Sequence, residues 1–194
     1  MKKKKENKSF LKKVWHFIWV EDSLASWIVN VILAFLIVKF IIYPLLGLML
    51  GTSYPVVAVV SGSMEHNGLD FDSWWANNAD WYENENFTKE EFYDFSFKNG
   101  FNKGDIIVLK GINAENIKRG NVIVYSTNRY KYPIIHRVVN KEGELGSYTI
   151  ETKGDNNTLE DPEGITEDKL IGKAIFKIPF LGWIKIMFTW MIGG

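Results

Sequence analysis

Residues 55–65 read PVVAVVSGSME, an apolar run of β type that ends in two serines, Ser61 and Ser63, on either side of one glycine. Such a strand presents two hydroxyl groups at its end, and the glycine lets the backbone approach another segment closely. This arrangement is suited to displaying a nucleophile, but Ser-Gly-Ser is also ordinary turn composition. The rest of the sequence must decide between a turn and a site.

The composition limits the classes of protein that fit. The chain has 194 residues, which is room for one folded domain and an anchor. Its 23 basic and 23 acidic residues give a net charge of zero, so nucleic acid is not an expected partner. There is no cysteine, which excludes disulfides, a thiol nucleophile and cysteine-ligated metal sites. We expect neither a cofactor nor a metal.

An apolar run with a single charged residue, Lys39, extends from residue 24 to residue 50. It exceeds the roughly 20 residues that cross a bilayer as a helix, so residues 23–50 are predicted to form a transmembrane helix. Pro44 and Gly47 suggest that the regular helix ends or kinks before Leu50. A cleavable signal peptide is the alternative, but its apolar core would be only about 7–15 residues long.

Residues 1–22 are rich in lysine, with apolar residues between the lysines at near-helical spacing. They are predicted to form an amphipathic segment on the anionic cytoplasmic face of the lipid bilayer. After Lys39 the next Lys or Arg is Lys89. The excess of lysine before the apolar run therefore predicts a single-pass protein of the cell membrane, with a cytoplasmic N-terminus and an extracytoplasmic domain.

The remaining chain predicts a mainly β fold. Residues 51–65 and 104–177 are expected to form an antiparallel β-domain, because short apolar runs alternate with turns rich in Gly and Asn. The candidate strands are residues 105–110, 121–126, 133–139, 147–152 and 170–176. Residues 66–103 are acidic and aromatic and are interpreted as an inserted subdomain, with a helix start capped at Thr88. The apolar tail, residues 178–194, is predicted to be an interfacial or half-inserted helix, with a second membrane span as the alternative.

Three groups of residues could carry chemistry. A serine hydroxyl needs a base within hydrogen-bond reach, and the candidate bases are His66 and His136. Asp155 and Asp161 lie in a loop rich in Gly and Asn, which fits a plain turn or a calcium loop. In a serine–histidine site, however, a buried aspartate fixes the tautomer of the imidazole.

Together these pieces resemble the type I signal peptidase family in its archaeal and endoplasmic-reticulum form. The resemblance covers the anchor, the apolar tail and a series of short boxes in family-like order, at residues 57–65, 104–110, 119–125, 135–138 and 153–161. It implies an antiparallel β-domain of the signal peptidase type.

The resemblance also implies residue roles. Ser63 would be the nucleophile and His136 the general base, where bacterial relatives carry a lysine. Asp161 would orient His136, and Asp155 would support the site. The Ser63 backbone N–H and the Ser61 hydroxyl would form the oxyanion hole.

The chain departs from the family pattern at two positions. His66 stands where the family usually has the proline of Ser-Met-x-Pro, which makes the turn less rigid and His66 a rival base. Asn121 stands where another box has the aspartate of Arg-Gly-Asp, so no acid is available there.

The expected function is that of a membrane-bound serine endopeptidase that cleaves signal peptides from exported pre-proteins at the outer membrane surface. The expected partners are signal-peptide-bearing pre-proteins, the lipid bilayer and the protein-export channel. The alternative is a non-catalytic, membrane-anchored binding protein of the cell envelope. In that case the β-domain and residues 66–103 would form the binding face.

Overall fold

The chain divides into two units, residues 1–46 and 47–194. The computed structural model describes residues 3–130 and 132–191. In the first unit, helix α1 (Lys3–Trp19) is followed by α2 (Leu24–Ile37). The Ser23 hydroxyl caps α2 by accepting a hydrogen bond from the Ser26 N–H over 3.2 Å. Asn30 Nδ2 donates to the carbonyl of Ile18 over 2.9 Å, which ties α2 to the end of α1.

Helical backbone continues from Leu24 to Leu50, with a mean hydropathy of 2.5 and no buried residues in the apolar window. A π-helical turn, Val38–Ile42, joins α2 to α3 (Tyr43–Leu50). The irregularity therefore precedes Pro44, where the missing proline N–H removes a helical hydrogen bond, and the helix does not end early. Within the described residues this is the single helix long and apolar enough to cross a membrane.

The second unit is built on a six-stranded sheet in the order β1-β2-β6-β3-β4-β5, in which every neighbouring pair is antiparallel. The predicted antiparallel β fold is thus confirmed. The strands are β1 (Val56–Ala58), β2 (Ile106–Lys110), β3 (Val122–Tyr125), β4 (Ile134–Glu142), β5 (Thr149–Lys153) and β6 (Leu170–Ile178). The five candidate strands of the sequence correspond to β2 through β6, with ends that differ by up to three residues. β1 lies at one edge of the sheet.

Residues 66–103 contain two helices, α4 (Phe71–Asn84) and α5 (Lys89–Tyr93). The predicted cap at Thr88 is present, because its hydroxyl accepts a hydrogen bond from the Glu91 N–H over 3.1 Å. The buried face of α4 is aromatic and packs in one cluster with Val139 of β4. The members of this cluster are Phe71, Trp74, Trp75, Tyr82, Phe87, Phe92 and Val139.

The tail begins as strand and becomes helix only later. β6 extends to Ile178, and α6 (Trp183–Met191) follows a short turn. The Gly182 N–H donates to the carbonyl of Gly104 over 2.8 Å, which attaches the start of α6 to the segment before β2. The last predicted helical residues, 192–194, lie outside the described residues.

Candidate active site

Ser63 lies in the tight turn that follows β1. The Glu65 N–H donates to the carbonyl of Gly62 over 3.1 Å and closes the turn. On the other side, the Asn156 N–H donates to the carbonyl of Ser63 over 2.8 Å. A Cβ on Gly154 would lie 2.6 Å from that carbonyl, so the loop can approach the turn this closely only with glycine there. The turn is therefore held by the loop that contains Asp155 and Asp161.

His136 lies in β4, opposite Ile123 of β3, and is 5% exposed. Its Nε2 is 3.0 Å from Ser63 Oγ, and its Nδ1 is 2.6 Å from Asp161 Oδ2. Because an ionised carboxylate can only accept a hydrogen bond, Nδ1 carries the proton and Nε2 presents a lone pair to the serine hydroxyl. This is the tautomer that a general base requires.

Asp161 is held by three donors. Besides His136, it accepts hydrogen bonds from the Thr152 hydroxyl over 2.6 Å and from the Tyr125 hydroxyl over 2.9 Å. Burial alone would raise the pKa of Asp161, but the hydrogen bonds and charge of its partners outweigh burial and lower the pKa. The carboxylate is thus ionised and fixed in orientation.

Ser61 is exposed, with its Oγ 3.3 Å from Ser63 Oγ. The Ser63 backbone N–H donates to no other residue in the described part of the chain. Both donors predicted for the oxyanion hole therefore lie beside the Ser63 hydroxyl.

Asp155 lies in a different network, away from the His136 ring. It is fully buried and accepts two parallel hydrogen bonds from Arg137, over 2.9 Å from Nε and 2.7 Å from an NH2 group. Burial would raise the pKa of Asp155, but the Arg137 charge and hydrogen bonds from His66 and Arg137 lower it to about 2. Asp155 contacts the residue that follows His136, so any support it gives to the site is indirect.

His66 is also placed away from the Ser63 hydroxyl. Its Nε2 is 3.2 Å from Asp155 Oδ2, and its ring is stacked on Trp74. Since Asp155 is an acceptor, Nε2 carries the proton, and the other ring nitrogen, Nδ1, is buried and makes no hydrogen bond to Ser63 or to any other described residue. This geometry argues against His66 as the base.

Sequence reasoning missed three residues of these networks, namely Tyr125, Thr152 and Arg137. Tyr125 ends β3 and Thr152 lies in β5, so their hydroxyls meet Asp161 only once the sheet has formed. Arg137 offers a signal, because an arginine in an otherwise largely apolar strand needs an acidic partner if the strand is buried.

A cavity of about 390 Å³ opens at the Ser63 hydroxyl. Residues 58–60 line it on the side of edge strand β1, and Tyr130 with residues 132–136 lines it on the side of β4. Ser63, His136 and Asp161 also line this cavity. A second cavity, of about 510 Å³, is lined mainly by the loop after β2 together with Lys110 of β2 and two residues of β6, and none of the candidate site residues lines it.

Comparison with known proteins finds several relatives named as the catalytic subunit of a signal peptidase complex. The chain is 33% identical over 107 residues to the signal peptidase complex catalytic subunit SEC11 of Pyricularia oryzae, covering 50% of this chain and 62% of the relative. Identity to the proteins of the same name is 33% over 102 residues in Sclerotinia sclerotiorum and 31% over 103 residues in Neurospora crassa. The resemblance to signal peptidases is confirmed.

The matched segment spans about six tenths of these relatives, 62% of the Pyricularia protein and 59% of the other two. No protein-family model matches the chain. The signal peptidase resemblance therefore rests on the curated relatives.

Proposed function

We propose that this chain is a membrane-bound serine endopeptidase that cleaves signal peptides from pre-proteins. The observation that carries the proposal is the continuous relay from Ser63 Oγ to His136 Nε2 over 3.0 Å, and from His136 Nδ1 to Asp161 over 2.6 Å. The names of the relatives supply the reaction class and the substrate.

In the proposed mechanism, Ser63 Oγ attacks the scissile carbonyl while His136 Nε2 takes the hydroxyl proton. The imidazolium that forms is stabilised by the adjacent Asp161 carboxylate. The Ser63 N–H and the Ser61 hydroxyl donate to the oxyanion, an effect of about 2.7–4 kcal/mol for each such donor. His136 then protonates the leaving amine, and a water molecule deprotonated by the same ring hydrolyses the acyl-enzyme.

The substrate would bind as an extended strand. β1 pairs with β2 on one side and, within the described residues, with no strand on the other, and Ala58 at its end and the two residues after it line the cavity at Ser63. Strand addition at such an edge supplies main-chain hydrogen bonds, and small pockets select the small residues that precede a signal cleavage site. Ala58 and Val60 are the proposed pairing partners, because the Val59 N–H and carbonyl already pair with Asp105 and Gly104 over 2.9 Å.

The proposed location follows from the apolar helix. Residues 23–50 would span the cell membrane with residues 1–22 in the cytoplasm, and residues 178–194 would lie at the interface. The catalytic β-domain, residues 51–65 and 104–177 with the inserted residues 66–103, would face the outer surface. Pre-proteins arriving from the export channel would meet the site there.

The test is cleavage of a signal-peptide-bearing pre-protein by the full chain in detergent or liposomes. Ser63→Ala and His136→Ala are each expected to abolish cleavage, since each removes one end of the proton transfer. Ser126→Ala, at an exposed serine outside the cavity, is the matched control and should cleave normally. Undiminished cleavage by either site variant refutes the assignment, and no cleavage by the unmodified chain favours the binding-protein alternative.

A further inference from the structure

His66 is placed where it can control the geometry of the nucleophile. It lies three residues after Ser63 and is 3% exposed. Its ring is stacked on the indole of Trp74, with centroids 3.9 Å apart and an angle of 4° between the planes. A Cβ on Gly100 would lie 2.7 Å from His66 Cδ2, so the edge of the ring is closely packed as well. The ring has no room to change position without a shift of its neighbours.

The hydrogen bond of His66 joins the two reacting segments from behind. The Asp155 carboxylate accepts a hydrogen bond from His66 Nε2 over 3.2 Å and two hydrogen bonds from the Arg137 guanidinium. His66 follows the nucleophile by three residues, and Arg137 follows the base directly. One buried carboxylate therefore holds the chain just after Ser63 and the chain just after His136.

The aromatic segment, defined as residues 66–103, completes this arrangement. Trp74 in α4 supplies the stacking surface for His66, and Phe92 in α5 lies under the Arg137 guanidinium, 4.6 Å from its centre. Arg137 also donates to the carbonyl of Phe97 over 2.8 Å. None of the residues that line the cavity at Ser63 belongs to this segment. The segment therefore acts on the site from behind the cavity, and it also bonds to the neighbours of Ser63, from the Phe101 N–H to the Met64 carbonyl over 2.9 Å and from Asn67 to Asn156 over 3.0 Å.

We propose that His66 is a positioning residue, which holds the Ser63 turn at the distance from His136 that proton transfer requires, and that the aromatic segment acts on the reaction through it. This inference rests on the proposed function. A misplacement of about 1 Å in a catalytic group can reduce the rate about 100-fold. A proline at this position would make the turn stiff through its ring. His66 instead restrains the turn through its stacking on Trp74 and its hydrogen bond to Asp155.

The experiment separates the two contacts of the ring in the full chain. His66→Phe keeps a ring on Trp74 but loses the donor to Asp155, and His66→Gln keeps a donor but loses the stack. Phe87→Leu is the matched control, because Phe87 belongs to the same aromatic cluster but does not contact His66. We expect His66→Phe to lower kcat by about ten- to 100-fold with little change in KM, and His66→Gln to recover part of it. Phe87→Leu should lower the melting temperature and keep kcat.

A second readout does not depend on proteolysis. The chain has three histidines, so the imidazole NMR signals of His136 can be assigned. His66→Phe should shift the His136 Nδ1–H signal, whereas Phe87→Leu should leave it in place. Unchanged His136 signals in His66→Phe, or equal losses of kcat in His66→Phe and Phe87→Leu, overturn the positioning role. An inactive unmodified chain would overturn the proposed function alone, because the NMR comparison would still decide the role of His66.

Discussion

At the scale of single residues, the candidate site depends on the charge and orientation of Asp161. Its carboxylate accepts from His136, Thr152 and Tyr125, and these partners hold its pKa below the ordinary value. An amide at this position would keep the shape but could donate to His136 Nδ1. The ring would then adopt the tautomer that cannot take the serine proton.

Asp161→Asn is therefore expected to reduce kcat by about 10⁴-fold with little change in KM, as in other serine–histidine–aspartate sites. Steady-state cleavage of a signal-peptide substrate measures both constants. Asp168→Asn, which changes an exposed aspartate bonded to Thr166, serves as the matched control. A kcat within about tenfold of the unmodified chain would mean that Asp161 does not orient the base.

The family resemblance predicts that Ser63, His136 and Asp161 meet at the site, with Asp155 beside it, but it does not predict the partners of Asp155. The order and spacing of Ser63, His136 and Asp161 resemble a known family, which is why these three residues can be predicted. Asp155 was expected to support the site, and its actual partners, Arg137 and His66, come from β4 and from the turn after β1. These partners depend on the register of β4 against β5. The alternation of apolar and polar residues along the two strands does not by itself determine that register.

At the scale of secondary-structure elements, the buried Arg137–Asp155 pair joins β4 to the loop after β5. Both side chains are fully buried. Breaking a buried ion pair by removing one charge leaves the other without a partner, which costs about 3–5 kcal/mol. The pair also makes stability depend on pH, because the pKa of Asp155 is lowered to about 2, below its ordinary value near 4.

Between those two pH values the unfolded chain binds a proton on Asp155 and the folded chain does not. The stabilisation is thus complete above pH ~4 and is lost as the pH falls toward about 2. We expect Asp155→Asn to be less stable at pH 7 by about 3–5 kcal/mol and to lose less stability on acidification. Chemical denaturation at pH 7, 4 and 3 tests this, with Asp80→Asn, at an exposed aspartate of α4, as the control. An acid response equal to that of the unmodified chain would contradict the prediction.

Lys153, at the end of β5, makes the stability of the fold depend on pH in the alkaline range. Burial lowers its pKa to about 8, although the Asp155 charge opposes the shift, and Tyr82 accepts a hydrogen bond from its ammonium group over 3.4 Å. Between about pH 8 and the ordinary lysine value near 10.4, the unfolded chain binds more protons than the folded chain. Stability should therefore rise with pH across that window.

We expect the unfolding free energy to increase by about 1–2 kcal/mol from pH 7.5 to 9.5, and Lys153→Met to flatten this rise. The measurement stops below pH 10. Burial raises the pKa of Tyr82 in the folded chain, so above pH ~10 Tyr82 ionises in the unfolded chain only, and the unfolding free energy falls. Lys118→Met, at an exposed lysine, should keep the rise. An equally steep rise in Lys153→Met would exclude Lys153 as its source.

The strands could be predicted from sequence better than the helices of residues 66–103. β2 and β4 show apolar runs bounded by turn residues, which is a local signal. In α4 the buried positions Phe71, Trp74, Trp75 and Tyr82 lie on one helical face, but one further aromatic residue, Trp81, is only half-buried, and acidic residues are interspersed. The helical spacing of the buried residues is therefore hard to recognise in the sequence. It becomes visible only when Val139 and the other members of the cluster show which side of α4 is buried.

At the scale of the whole molecule, the proposed function requires the apolar helix and the β-domain to act together. Cleavage of a signal peptide at a membrane surface needs the Ser63 turn outside the bilayer, and the turn begins only about a dozen residues after Leu50. At most about 3.3–3.6 Å per residue, this connection limits the site to roughly 40 Å from the helix end. The orientation of the helix therefore decides whether Ser63 and its substrate share one compartment.

The absence of cysteine from the sequence allows that orientation to be measured directly. Single cysteines can be introduced as Lys12→Cys, before the apolar helix, and as Asn128→Cys, in an exposed turn after β3. The lysine excess before the helix predicts that a membrane-impermeant maleimide labels the Asn128 variant in intact cells and the Lys12 variant only after permeabilisation. The unmodified chain is the blank, and labelling of both variants after permeabilisation shows that both sites are accessible. The reverse pattern would place Ser63 in the cytoplasm, where exported pre-proteins have not yet crossed the membrane, and the proposed site would then need a different substrate.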